Sequence, residues 1–336
     1  MQSKSSGAYC ILEHFADNTE EKELSNYGML LWGNLNYNYT QATVGNIGSS
    51  DFSNGIFVNR GWTQPNLVTY QESHDEERVM YKNLQDGNSY GAYNIKNLNT
   101  ALKRNEMAAA FWAVTPAPKM LWQFQELGYD FSINTCEDLT INNNCRVSPK
   151  PIHWDYLNNT NRKALLTVYS KLLKMRNVPN YLPTFVTSNM TYDLGSYVKW
   201  LKVTSDSLKI LVIGNFDVVT RTGSVTFQQP GIWYNYLQGG TRIATGSSEN
   251  FTLQPGQYYV FVSRDVNAAV NALPLKLISF GARRTERNIA LQWVTANEIN
   301  VKQFSIERSL NAIDYTEAGT VKAINSSRQM VYNSNV

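Results

Sequence analysis

The 336 residues are enough for roughly two to three domains at ~100–200 residues each. Hydrophobic residues make up 43% and charged residues 17%, the balance of a globular rather than a disordered chain. A net charge of +3 without a Lys- or Arg-rich run argues against nucleic acid as the main partner, and no apolar run is long enough to span a bilayer.

In chain order, the N-terminus MQSKSSGAYC lacks the apolar stretch of a signal peptide and reads as the interior of a domain. Tyr9–Asn18, YCILEHFADN, is a short apolar run that ends in Glu13 and His14, with Cys10 read as a small core residue. A polar, acidic segment, NTEEKELSNYG, leads to a second apolar run, Met29–Trp32. NLNYNYTQATVG can be helix or loop, and GNIGSSDFSNG is a connection. Leu67–Arg78, LVTYQESHDEER, is the most informative stretch. It is a β-type run that breaks abruptly into polar and ionisable side chains, among them Glu72, His74 and Asp75. LNTALKRNEMAAAFWAVTP has strong helix formers at helical spacing and stops at Pro116. PKMLWQF follows as a predicted strand, ending in Gln123, Gln125 and Glu126.

Cys136 and Cys145 flank the polar loop NTCEDLTINNNCR. A disulfide across it, implying an oxidising compartment, and two unpaired thiols both fit the spacing. A metal site does not, because neither cysteine has a CxxC neighbour or a nearby His. An amphipathic helix follows in NTNRKALLTVYSKLLKMRNVP, with Leu165, Leu166, Tyr169, Leu172 and Leu173 on its inner face. From about Tyr181 the pattern changes to short alternating runs separated by turns such as QPG and QGG, the signature of an antiparallel sandwich. A linker, RDVNAAVNA, leads to a further β segment with alternating Ile289, Leu291 and Trp293.

The order strand, strand, strand, helix, strand, helix predicts parallel strands with helical crossovers. Acid and imidazole groups at successive strand ends are what a (β/α) barrel presents at its catalytic face. The interval from Glu13 to Asp75 is about two βα units at ~30 residues each. Asp75 should therefore end the strand two further on from that of Glu13. The expected fold is α/β followed by all-β: a partial (β/α)8 TIM barrel holding only the later strands (1–180), a C-terminal β-sandwich (181–263), a linker (264–272) and a truncated β module (273–336).

These residues resemble the C-terminal half of a glycoside hydrolase of the α-amylase family (family 13). ILEHFADN is similar to the fifth-strand motif, whose Glu is the family's general acid/base. YQESHDEER is similar to the seventh-strand motif, whose His-Asp pair holds substrate hydroxyls and stabilises the transition state. PAPKMLWQFQELGYD resembles the eighth-strand region, and residues 273–322 resemble a fibronectin-III-like module of secreted bacterial proteins. The resemblance implies Glu13, His74 and Asp75 as catalytic residues, with His14, Glu72, Trp32 and Trp122 as substrate contacts. Trp62 and Tyr129 are further candidates for stacking on sugar rings, although core packing suits each ring equally. Burial of Glu13 among apolar neighbours would raise its carboxyl pKa and suit it to carry a proton near neutral pH. Glu72 can join the site or pair with Arg78, and His153 packs near the start of the last helix.

The family's nucleophile, an Asp in a G-x-R-x-D context on the fourth strand, has no match here, and the first-strand D-x-x-x-N-H motif is also absent. The expected function is therefore a retaining hydrolase of α-1,4-glucans, as a fragment without the nucleophile-bearing half and inactive by itself. Serine replaces the more usual Asn of E-N-H-D, and SHDE also occurs in glucan-branching members, so a branching or transglycosylating enzyme is the alternative. A non-catalytic glucan-binding surface protein is the third. The expected partner is an α-glucan polysaccharide or oligosaccharide. No cofactor is certain from the residues; Ca2+ is common in the family, and the resemblance implies that the full-length enzyme can hold it, with its principal ligands in segments missing here. The loop CEDLTINNNC reads as solvated rather than cation-binding. The implied address is extracellular or the bacterial cell surface, with the signal peptide outside this chain.

Overall fold

The computed structural model describes residues 4, 7–266, 276–286, 288–296, 298, 301–311, 314–326 and 328–336. Three of the predicted apolar runs pair as a parallel sheet: β1 (Ile11–Leu12), β2 (Leu30–Asn34) and β3 (Leu67–Tyr70), in that order. Leu12 lies opposite Leu31, and Leu31 opposite Leu67, so the three strands end toward one rim. Parallel neighbours need crossover connections. The acidic segment supplies the first as helix α1 (Asn18–Asn26), whose N-terminus is capped by the Asp17 carboxylate accepting from Thr19 N at 2.8 Å. NYNYTQATV supplies the second as helix α2 (Asn36–Val44), which ends at Gly45 in a left-handed conformation (φ 85°) open to glycine without strain.

After β3 come α3 (Val79–Asp86), a small hairpin of β4 (Ser89–Tyr90) and β5 (Tyr93–Asn94), and α4 (Leu98–Val114). Helix α4 is buried on almost every side, consistent with its run of small and apolar residues. Its Trp112 indole donates to Thr69 O of β3 at 3.0 Å. The predicted strand PKMLWQF is not one. It makes only an isolated parallel bridge between Lys119 and Thr69. Pro116 and Pro118 contribute no N–H to a ladder, and the chain turns left-handed at Ala117 and Phe124. The parallel sheet therefore stays open, and none of the described sheets closes into a barrel. Helix α5 (Thr160–Arg176) buries Leu165, Tyr169, Leu172 and Met175; Leu166 and Leu173, placed on the inner face by periodicity, are half-buried at its margin.

The all-β segment contains β6 (Met190–Asp193), β7 (Val198–Val203), β8 (Ile210–Asn215), β9 (Arg221–Thr226), β10 (Gly231–Asn235), β11 (Thr241–Ala244), β12 (Ser248–Leu253) and β13 (Tyr258–Val262). Six of them form one antiparallel sheet in the order β11-β10-β13-β8-β7-β6, and β12 pairs with β9. Their inner faces enclose Ile213, Val225, Phe227, Trp233, Phe251 and Phe261. The chain parts into two compact units, Met1–Val266 and Asn267–Val336, so the parallel sheet and this all-β segment belong to one unit. Buried Arg104 of α4 ties them together. It donates to Ala42 O of α2 at 2.8 Å and to Phe216 O beyond β8 at 2.5 Å.

The second unit is antiparallel: β14 (Lys276–Arg284), β15 (Ile289–Ala296) and β18 (Met330–Asn335) form one sheet, and β16 (Gln303–Arg308) pairs with β17 (Thr316–Lys322). Its small core is Leu291, Trp293, Ile306 and Tyr332. Of the expected linker 264–272, residues 267–272 lie outside the described residues, as do 273–275.

Candidate active site

Parallel pairing of β1, β2 and β3 brings residues far apart in sequence to one rim. Glu13 follows the last residue of β1, Trp32 lies in β2, and His74 and Asp75 follow β3. One side-chain atom each from Glu13, His74 and Asp75 lies within 4.8 Å of the others. His74 Nε2 is 3.5 Å from Asp75 Oδ2. The His74 ring sits between two indoles, with centroids 6.1 Å from Trp32 and 5.8 Å from Trp122. Among the described residues this is the one group of three side chains spaced to hold a cation. The same carboxylate–imidazole–carboxylate set suits the hydroxyls of a sugar ring, and the flanking indoles suit its apolar face.

The turn carrying His74 and Asp75 is held by its own motif. Ser73 Oγ donates to Glu76 and accepts from Asp75 N at 3.1 Å. Glu76 also accepts from Asn34 Nδ2 at the end of β2. Gln71 Oε1 accepts from Gln125 Nε2 at 2.7 Å and from the Tyr169 hydroxyl at 3.2 Å, linking the end of β3 to α5. The Tyr70 hydroxyl is kept protonated: burial first, then the negative charges of Glu76, Glu13 and Asp75, hold its pKa well above the usual range. Asn34, Tyr70 and Glu76 were not singled out from sequence. A polar residue ending β2 and the carboxylate following ESHD were the available signals.

Two expectations need correction, the burial of Glu13 and the place of Glu72 at the site. Glu13 is exposed rather than enclosed by apolar neighbours, because β1 is the edge strand of the sheet and pairs only with β2. Glu72 is not at the site. It is fully buried, paired with Arg78 at 2.8 Å, and accepts from Val79 N at 2.9 Å. Burial pushes its carboxyl pKa up, against the lowering pull of Arg78. His14 is exposed and bonds to Glu20 of α1 at 2.7 Å. Trp62 and Tyr129 are core residues, each at most 2% exposed, and so closed to a sugar ring. His153 is stacked between Phe131 and Tyr156 near the start of α5.

Cys136 and Cys145 are joined by a disulfide, and the Cys10 thiol is free. In the loop between the bonded pair, Asp138 Oδ1 accepts from Thr140 N at 3.0 Å and from Thr140 Oγ1 at 2.7 Å, which folds it into a local turn.

No family model and no curated protein matches the chain. Solved structures do. An α-amylase from Anoxybacillus matches with a TM-score of 0.50 at 12% identity, over 78% of this chain and 53% of that one. AmyP in complex with maltose matches with a TM-score of 0.53 at 17% identity, over 76% and 55%. CldA, a cyclomaltodextrin glucanotransferase, matches with a TM-score of 0.55 at 14% identity, over 78% and 51%. The chain thus spans about half the length of these enzymes and shares their fold over that span. None of these matches bears on a fibronectin-III-like identity for residues 273–336.

Proposed function

We propose that this chain carries the later strands of a retaining α-glucan hydrolase site, with the nucleophile supplied from outside the residues identified here. The observation that carries the reading is the meeting of Glu13, His74 and Asp75 within 4.8 Å at one rim of a parallel sheet, between Trp32 and Trp122. Glu13 gives a proton to the leaving glycosidic oxygen and then takes one from the attacking water. The Asp75 carboxylate accepts from sugar hydroxyls whose bonds strengthen as the oxocarbenium ion develops, and His74 donates to a neighbouring hydroxyl. The Glu13–Asp75 approach is closer than the ~6.5–9.5 Å that an inverting pair needs for its water, so these two carboxyls do not serve as an inverting pair. The maltose-bound AmyP structure supports an α-1,4-glucan as the substrate class. The Cys136–Cys145 disulfide supports an oxidising, extracellular address.

The test is Glu13→Gln in a full-length protein containing this segment. Loss of a general acid/base is expected to lower kcat on starch by about 10²–10⁴-fold. Undiminished starch hydrolysis would remove Glu13 from the role. The second reading is transglycosylation. It is favoured by the likeness to a cyclomaltodextrin glucanotransferase and by the serine in ESHDE. Product analysis separates the two: cyclic or branched glucans formed without release of reducing ends indicate transfer.

A further inference from the structure

The segment carrying His74 and Asp75 is gripped from its other flank by the disulfide-closed loop. Glu77, in the same motif, receives both Ser132 Oγ and Ile133 N at 2.7 Å, which fixes the start of that loop. Arg146, immediately after Cys145, donates from its guanidinium to the backbone carbonyl of Asp75. The loop between these two attachments is closed by Cys136–Cys145 and crossed by a bridge from Thr135 to Ile141. Lys150 clamps its base, donating to Thr135 O at 3.0 Å and Cys145 O at 2.6 Å. Arg146 is an exposed, long side chain, and holding it in one geometry costs conformational entropy of both its side chain and its backbone. The disulfide at the preceding cysteine fixes the backbone from which Arg146 projects and so removes the backbone part of that cost.

We propose that Arg146 is a positioning residue for Asp75, and that the Cys136–Cys145 disulfide is what keeps it in place. The catalytic consequence rests on Asp75 binding substrate; the mechanical part does not. Two electrons and two protons from a dithiol reductant convert the bridge to two thiols, the reductant leaving as its cyclic disulfide. Reduction thereby loosens the Arg146 contact, and the backbone that carries Asp75 beside His74 loses that restraint.

The chain has three histidines, so imidazole NMR signals of the full chain provide a direct readout, with His74→Gln assigning its own resonance. Arg146→Ala and the Cys136→Ser/Cys145→Ser pair are each expected to move the His74 signals, because its ring lies 3.5 Å from Asp75. His14, bonded to Glu20, should not move. Arg146→Lys keeps one donor and should restore the wild-type His74 signals in part. Adding dithiothreitol to the wild type should reproduce the double-serine shift, and adding it to Arg146→Ala should add little. Loss of the stacked His153 signals would report unfolding of a variant, and the reduction of the wild type then decides. The proposal is overturned if the His74 signals stay in place on reduction of the wild type or in folded Arg146→Ala. None of these arms requires turnover, so an absence of starch hydrolysis would end the functional reading without touching this one.

Discussion

Glu72 and Asp75 belong to one short motif and meet opposite fates. Alternation suggested that Glu72 shares a face with His74, but that rule holds only while the chain remains a strand, and β3 ends at Tyr70. Beyond it the backbone turns, Glu72 goes inward to Arg78, and Asp75 is left half-exposed. Glu72→Ala leaves Arg78 buried without its partner, and a loss of about 3–5 kcal/mol is expected in urea denaturation. A loss below about 1 kcal/mol, the worth of a surface pair, would show that water or another group replaces the carboxylate. Lys199 is the opposite case, a buried amine that donates to Leu194 O at 2.6 Å and lies over the rings of Phe52 and Phe216. Burial pushes its pKa down to about 8 from an ordinary 10.5, against the raising effect of Asp51 and Asp193. Between those values the unfolded chain holds the proton and the folded chain does not, so stability from this group rises as pH increases from about 8 to 10.5. Lys199→Met should remove that rise. Denaturation midpoints compared with wild type across pH 7 to 10 would show it, and parallel curves would refute it.

At the scale of elements, helix capping is local chemistry. Asn159 accepts from Asn161 N at 2.9 Å and Arg162 N at 3.1 Å at the head of α5. Asn159→Ala should cost ~1 kcal/mol in thermal or urea unfolding, with Asn159→Ser retaining most of the stability. Helix α5 carries Tyr169 against Gln71, so a loss larger than that would mean that the start of the helix also sets the register of this buried contact. The strand expected at PKMLWQF failed for an equally local reason. Its apolar residues suit a strand, yet the prolines and the left-handed residues leave it one bridge to Thr69. Lys119 then turns to the carbonyls of Pro116, Ala117 and Pro118, and its burial holds its pKa well below the usual value.

For the whole molecule, the parallel sheet is open and β1 has a neighbour on one side only. Glu13 directly follows that edge strand, and among the described residues no strand pairs with β1 on its far side. A retaining mechanism requires a second carboxyl about 5–5.5 Å from the acid to form the covalent intermediate. On the proposed reading Asp75, although its carboxylate comes within 4.8 Å of Glu13, is given to hydroxyl binding, and Glu72 is buried against Arg78, so the nucleophile is left to residues outside those identified here. The 336-residue chain alone is therefore expected to release no reducing ends from starch, and measurable release in a standard reducing-sugar assay would overturn the proposed division of the site.

From sequence alone came the type and order of most elements and the two motifs that end β1 and β3, because periodicity and strand-end chemistry act over a few residues. Their convergence was expected from the spacing of the motifs but could be established only by the strand register, which depends on contacts between distant segments. The same holds for the burial of Glu72, the exposure of Glu13, and the reach of Arg146 across to Asp75. Each is decided by which surface folds against which, a long-range competition for burial and hydrogen-bond partners that no local pattern encodes.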